Sequence, residues 1–254
     1  MKRRTVLALT AALALPAASS AIAAPASDNN WHISFAPLLW GVSMNGVASV
    51  GPATAPVNIE FQDDKMENLE AVLSWHFELR NNDFSLFLEH QYIDLVPTTA
   101  LPSGEQVNVG LKNVMVELAA AYTVLKSART GWQVIGGLRL TKQLLSINDI
   151  PSPPSTVSSF NTDQRWTDAF IGGRVFAGIT DNWQFIVRAD IGAGGSDRMW
   201  NLVGMFDYRF TSWGSSLFGY RILDYDYDNG ESGQNSYAFN GKFQGPLVGL
   251  NFRW

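Results

Sequence analysis

Cysteine is absent from the 254 residues, which excludes a disulfide framework, a thiol nucleophile and a zinc-thiolate centre together. No stretch reaches 18 consecutive apolar residues, so no segment reads as a membrane-crossing helix. Basic charge is scarce: 18 Lys and Arg against 23 Asp and Glu leave a net charge of −5, a balance that argues against a nucleic-acid partner. Histidine occurs only at His32, His76 and His90, without metal-ligand spacing. No cofactor is expected.

What the chain does have is strict alternation. In Leu69 to Arg80 (LEAVLSWHFELR), Leu69, Ala71, Leu73, Trp75, Phe77 and Leu79 hold one parity and Glu70, Ser74, His76, Glu78 and Arg80 the other. A period of two places these sets on opposite faces of a strand. Ten such segments follow one another: Trp31 to Trp40, Leu69 to Arg80, Phe84 to Leu95, Val107 to Leu125, Trp132 to Leu145, Trp166 to Ile179, Trp183 to Ala193, Met199 to Phe210, Leu217 to Tyr227 and Tyr237 to Trp254. Short connections rich in Asn, Asp, Gly and Ser alternate with longer ones, the asymmetry of barrels with tight periplasmic turns and long extracellular loops. The pattern predicts an all-β fold, a transmembrane antiparallel up-and-down β-barrel of ten strands. Twelve is the alternative, because Val42 to Asn68 holds a short alternating piece that could be an extracellular hairpin, a lumen insertion or an added strand pair. A soluble sandwich or lipocalin-like barrel shares the period but would turn its apolar face inward.

Residues 1–23 read as a secretory signal: Lys2, Arg3 and Arg4, then an apolar stretch from Thr5 to Leu15, then Ala21-Ile22-Ala23 as the cleavage site. Residues 24–254 are expected to form one barrel domain in the bacterial outer membrane. Losing the leader takes three positive charges and no acid, which moves the net charge from −5 to −8. Tryptophans and tyrosines near strand ends, Trp31, Trp40, Trp132, Trp166, Trp183, Trp213 and Tyr237 among them, suggest girdles at the two membrane interfaces.

Parity also sorts the charges. Glu70, Glu78, Arg80, Glu89, Glu117, Arg139, Asp168, Arg174, Arg188, Asp190, Asp207, Arg209 and Arg221 fall on the inward face. In hydrocarbon each would cost about 2–4 kcal/mol at the midplane. Their near balance of sign suggests mutual pairing in a filled lumen, with a charge-lined permeation path as the alternative. The longer connections carry twelve carboxylates against Lys65, Arg165 and Arg198, so the outer end could attract cations or share divalent ions with lipopolysaccharide. Asp224 to Gly230 imitates the start of a calcium loop, but Asn229 stands where glycine is required. Ser74, His76 and Glu78 share one inward face and allow a lipid hydrolase to be imagined, yet residues in file on one strand do not by themselves make a triad. An enzyme is not expected.

The last strand alternates Val248, Leu250, Phe252 and Trp254 with Gly249, Asn251 and Arg253. An amphipathic strand closed by an aromatic resembles the C-terminal signal read by the outer-membrane assembly machinery, which would be a partner during biogenesis. Further motifs run along the chain: Pro37-Leu38-Leu39-Trp40-Gly41, Glu117 to Tyr122, Gly136-Gly137-Leu138-Arg139, Trp166-Thr167-Asp168, Ala189-Asp190-Ile191-Gly192, Gly195-Ser196-Asp197, Gly219-Tyr220-Arg221 and Gly245-Pro246. In their order and spacing the chain resembles a broad proteobacterial family of small outer-membrane β-barrel proteins with no agreed function. The resemblance implies fold and location and carries over no catalytic residue. The Ser- and Pro-rich stretch from Ser146 to Asn161 and the terminal Trp254 depart from it. The expected role is structural, or limited passage of small solutes through a narrow charged lumen, with lipid and lipopolysaccharide as surroundings and a monomer as the assembly. A surface binding module is the first alternative and a lipid hydrolase the second.

Overall fold

A computed structural model describes residues 30–59, 69–95, 98–100, 106–149 and 160–254. The leader expected at residues 1–23 lies outside them. Among the described residues, thirteen strands form one antiparallel sheet: β1 (His32–Trp40), β2 (Ser43–Val50), β3 (Ala53–Ile59), β4 (Leu69–Asn81), β5 (Phe84–Leu95), β6 (Thr98–Ala100), β7 (Gln106–Lys126), β8 (Thr130–Asp149), β9 (Phe160–Gly178), β10 (Trp183–Gly194), β11 (Arg198–Arg209), β12 (Gly214–Asp228) and β13 (Tyr237–Arg253). Ten of them, β1-β4-β5-β7-β8-β9-β10-β11-β12-β13, run round in order, and β1 pairs with β13 to close the ring. The ten strands expected from alternation are these ten. At the seam, Ile33 N–H donates to the Trp254 carbonyl at 3.0 Å and Trp254 N–H returns a bond to Ile33 at 2.9 Å. Closure leaves no open edge in the ring, which a backbone in lipid requires.

The ambiguous segment after Trp40 resolves into the remaining pair. β1 follows β13 only as far as Trp40 opposite Leu247; β2 then continues up the same strand, from Ser43 opposite Gln244 to Val50 opposite Tyr237, and β3 folds back on β2. The break sits where two glycines meet. Gly245 has φ +158°, and the Gly41 carbonyl occupies the space a Cβ would need there. Gly41 N–H donates to the Pro246 carbonyl at 2.8 Å and the Trp40 indole N–H to the Gly245 carbonyl at 3.2 Å. Two sequence motifs far apart in the chain, Pro37 to Gly41 and Gly245-Pro246, are thus one joint.

At the other end the turns are tight. Asn82 takes a left-handed φ of 51° in the β4–β5 turn, and the Thr180 hydroxyl accepts from Asn182 N–H at 3.3 Å and Trp183 N–H at 3.1 Å in the β9–β10 turn. Both chain ends of the barrel lie on this side.

The outer wall is apolar. Leu39, Leu118, Leu138, Leu140, Ile171, Ile191 and Val248 project outward, Ile191 with 65% of its surface exposed. A continuous belt of this kind has no place in water and is satisfied by acyl chains. Trp31, Phe84, Tyr122, Trp132, Trp183, Phe210, Trp213 and Trp254 ring the short-turn end as exposed aromatics. Three expected girdle members turn the other way: Trp40, Trp166 and Tyr237 are buried inside the barrel, because each falls on the inward parity of its strand. The belt ends where outward residues turn polar, after Ile222 at Asp224 on β12, after Leu140 at Lys142 on β8, and after Val114 at Lys112 on β7. Strands β7, β8, β9, β12 and β13 run on past that boundary.

Candidate functional site

Chemistry-bearing side chains converge in the lumen, which is layered along the barrel axis. At mid-depth lies an ionic layer. Arg139, with no exposed surface, donates from Nε to Glu117 Oε1 at 2.8 Å and from Nη2 to Asp190 Oδ1 at 3.0 Å. Arg188 reaches Glu117 Oε2 at 2.6 Å, Glu89 Oε2 at 3.2 Å and Asp190 Oδ2 at 2.9 Å. Arg221 bonds Glu89 and stands 3.4 Å from Glu117 Oε1. Arg174 grips Glu78 with both terminal nitrogens at 2.8 Å and donates from Nε to Gln133 Oε1 at 2.8 Å. His76 bridges the two halves, with Nε2 at 3.2 Å from Glu78 and Nδ1 at 3.4 Å from Glu89.

Seven strands contribute to this layer, so its bonds tie opposite walls together. Four arginines meet four carboxylates, and the formal charge cancels if His76 is neutral. The guanidinium planes also lie over rings: Arg139 over Phe170 at 4.8 Å, Arg188 over Phe87 at 5.1 Å, Arg174 over Phe176 at 4.9 Å and Arg221 over Trp40 at 5.5 Å. A planar, weakly hydrated cation tolerates such a dry setting where an ammonium would not.

Above the ionic layer, toward the long-loop end, the inward face is apolar. Met44, Val57, Ile93, Leu111, Leu145, Leu223, Phe239 and Phe243 are fully buried and belong to one cluster with Trp40, Trp166, Tyr225, Tyr227 and Tyr237. Trp166 stacks on Tyr227 with ring centroids 4.1 Å apart. A short polar chain runs through it: Gln143 donates to the Tyr225 hydroxyl at 2.8 Å and accepts from Tyr237, and Tyr225 donates to Asn113 Oδ1 at 2.9 Å, while Asn113 Nδ2 is buried without a hydrogen-bond partner. Below the ionic layer the lumen opens at the short-turn end as a vestibule of about 510 Å³.

The thirteen charges expected inside divide accordingly. Glu78, Glu89, Glu117, Arg139, Arg174, Arg188, Asp190 and Arg221 form the ionic layer. Arg80 and Arg209 line the vestibule, and Asp207 joins them there, paired with Arg253. Asp168 is inward and buried but accepts the Ser196 backbone N–H at 2.7 Å and fastens the β10–β11 turn instead. Glu70 lies on β4, with its side chain outside the described residues. His76, which parity places on the inward face, joins the layer between Glu78 and Glu89, whereas sequence parity did not single out Gln133 and Arg253 as members of the lumen set, although each shares the inward parity of its strand. Nor did it find the apolar layer, whose mark was there to see in Tyr237, Phe239, Phe243 and Leu247, all at one parity.

Ser74, His76 and Glu78 do not form a nucleophile, base and orienter. Both His76 nitrogens face carboxylates, and the buried Ser74 hydroxyl has no hydrogen-bond partner. The terminal set stands on the lipid side: Val248, Leu250 and Trp254 are exposed, and Phe252 stacks on Trp213 at 6.2 Å. Of the carboxylates expected in outer connections, Asp224, Asp226 and Asp228 stand on the extension of β12, while Glu60, Asp63, Asp64, Glu67 and Glu105 lie outside the described residues. Beside the outer rim, a cleft of about 480 Å³ between β5, β7, β8 and β9 is lined by the pair Lys112–Asp94 at 2.8 Å and by Asp163, which Lys142 approaches to 3.2 Å.

The sequence matches no protein-family model and no curated protein. Among solved structures, the chain is similar to the outer membrane protease OmpT from Escherichia coli, with a TM-score of 0.58 and 10% identity over 89% of this chain and 97% of that one. It is also similar to the translocator domain of the autotransporter NalP from Neisseria meningitidis, with a TM-score of 0.48 and 12% identity over 90% of each chain. The likeness to OmpT is one of fold: the chain has the closed antiparallel barrel of an outer-membrane β-barrel protein.

Proposed function

We propose that this protein is an integral barrel of the bacterial outer membrane whose lumen is closed, so that its role is structural or ligand-binding and not the passage of solutes. The observation that carries this reading is the packing of the outer half of the lumen, where Leu111, Leu145, Phe239 and Phe243 have lost all contact with solvent. A solute would have to displace that apolar plug and then part the ion pairs beneath it. Removing one partner from a buried pair costs about 3–5 kcal/mol, so two such barriers in series oppose a standing pathway.

The apolar belt, the short-turn aromatic ring and the signal-like N-terminus support the location. On this reading the short turns face the periplasm, Val248 to Trp254 present the strand that the assembly machinery recognises, and the barrel is a monomer. Lys112, Lys142 and Arg165 stand just above the hydrocarbon boundary, with carboxylates beside them, where lipopolysaccharide phosphates and their divalent ions would lie. Membership of the proteobacterial barrel family rests on the ordered motifs, two of which meet at the Gly41–Gly245 joint. Among the described residues, the arginines and carboxylates of the ionic layer are spent on one another, which supports a structural or binding role.

Reconstitution in planar lipid bilayers tests the reading. Folded protein, verified by its heat-modifiable gel migration, should insert without conductance steps at ±100 mV. Discrete, reproducible steps from the purified protein would overturn it.

A further inference from the structure

We propose that the seam between β1 and β13 is a lateral portal, through which the acyl chain of a bilayer lipid enters the vestibule from the side. The ladder across this seam is incomplete. Ile33 and Trp254 exchange both backbone bonds, so every second position up the seam, at Phe35, Pro37 and Leu39, turns its backbone groups toward β13 in the same way. Pro37 has no N–H to give. The register that sets Phe35 opposite Phe252 and Leu38 opposite Gly249 puts Ala36 across from Asn251 and Pro37 across from Leu250, and these two positions do not pair. The Leu250 carbonyl therefore lacks its ladder donor. Leu250 is 42% exposed and stands with exposed Leu39 and Val248, so the gap faces hydrocarbon, where an unmet backbone group is most costly. The other neighbouring pairs of the ring skip no position through the middle of the belt, their irregularities at Leu69/Ala71 and Thr123/Leu125 lying near strand ends. Proline belongs at the edge of a sheet. Its place in β1 makes this seam the part of the ring that most readily becomes an edge.

Apolar space lies directly behind the gap. Ala36, Leu38 and Leu217 form a buried cluster of their own, separate from the plug above. With Leu247, Val203 and Met205 they make one wall of the vestibule, whose volume is about 510 Å³. The closure on the inside is a side chain: Leu38 lies over Gly249, and its Cδ2 fills the room that a Cβ would take there. A leucine side chain moves between staggered rotamers without disturbing the backbone. The charged groups of the vestibule wall are spent on partners of their own, Arg253 on Asp207 and Arg174 on Glu78, which leaves the apolar wall as the surface that water serves badly. An acyl chain already lies against Leu39 and Val248 on the outer side of the same strands. Passing between Pro37 and Leu250, it exchanges one hydrocarbon surface for another, while its headgroup stays at the interface marked by the short-turn aromatic ring. The portal goes beyond the closed-lumen reading: it opens below the plug and adds no path across the membrane, so conductance steps would strike that reading alone.

Photocrosslinking tests the portal. The barrel is folded into phosphatidylcholine vesicles doped with a phosphatidylcholine that carries a diazirine in the middle of one acyl chain. After irradiation, adducts are mapped by mass spectrometry on the fast-migrating folded band. The parent protein should carry adducts on inward Leu38, Leu217 or Leu247 as well as on outward Leu39 and Val248. The Ala36→Cys/Asn251→Cys pair bridges the skipped positions from inside; once oxidised, it should lose the inward adducts and keep the outward ones, and reduction should restore them. Pro37→Val supplies the missing donor and should lower the inward yield about fivefold, the effect of roughly one net backbone hydrogen bond on the opening equilibrium. This variant serves alone if the cysteine pair does not oxidise. Three results overturn the proposal: no inward adducts in the parent while outward ones form, an inward yield unchanged by Pro37→Val, or inward adducts that persist in the oxidised variant, which would mean entry by the open mouth.

Discussion

Glu117 is the hub of the ionic layer, and replacing it by glutamine is the sharpest perturbation of the lumen. The carboxylate accepts from Arg139 at 2.8 Å, from Arg188 at 2.6 Å and lies 3.4 Å from Arg221, with 1% of its surface exposed. Glutamine keeps the shape, removes one negative charge and turns an NH₂ group toward three cations. The layer goes from four carboxylates against four arginines to three against four, around a side chain that is itself buried. Leaving a buried charge uncompensated costs about 3–5 kcal/mol. That is roughly two to three and a half orders of magnitude in the unfolding equilibrium. Removing Arg139 at the same time, as Glu117→Gln/Arg139→Gln, restores formal neutrality, and the double variant should recover about 0.5–3 kcal/mol of the summed single losses. Urea titrations of the barrel in phospholipid vesicles, followed by tryptophan fluorescence, supply the free energies. A Glu117→Gln variant within 1 kcal/mol of the parent, or strictly additive losses in the double variant, would refute the claim that these side chains form one interdependent layer.

Other parts of the barrel make separate predictions. Phe243→Ala should cost about 3–5 kcal/mol through the cavity it opens in the plug, yet stay silent in planar bilayers because the ionic layer beneath is intact. Ile171→Arg, on the lipid face near mid-belt, should cost about 2–4 kcal/mol, whereas Asn240→Arg, above the belt on β13, should cost about 0–1 kcal/mol; the same urea titrations compare them. Gly245→Val places a branched side chain where the Gly41 carbonyl stands, and the expected result is loss of the fast-migrating folded band on unheated gels.

The strands were legible in the sequence because a membrane barrel enforces period two more strictly than most folds do. One slip of register on Leu69–Asn81 would put Glu78 into lipid and Leu79 into the lumen, and the cost of that forbids ambiguity. The same parity placed eight charges in what proves to be one layer, since ions on the inward face of a narrow barrel have nowhere else to go. Which arginine meets which carboxylate was not legible: Arg188 and Glu89 are 99 residues apart, and their meeting across the lumen follows from closure and stagger rather than from any local pattern. The plug was hidden for a different reason. Past the belt, Asp224, Asp226 and Asp228 face out while Leu223, Tyr225 and Tyr227 face in, the reverse of the arrangement lower down the same strand, where Arg221 faces in and Tyr220 out. An apolar residue at a given parity means lipid at one height and core at another, and one sequence does not mark where the change occurs. Trp40, Trp166 and Tyr237 were misplaced as girdle residues on that account.

The absence of cysteine makes the central claim directly measurable. Single replacements Asn251→Cys in the vestibule and Leu111→Cys in the plug can be exposed to a membrane-impermeant maleimide with the folded barrel in lipid vesicles permeabilised to give the reagent access to both ends. A lumen closed by its outer half predicts rapid modification of Asn251→Cys and protection of Leu111→Cys until urea unfolds the protein. Equal labelling rates at the two positions in the folded state would mean that water runs through the barrel, and would contradict the account.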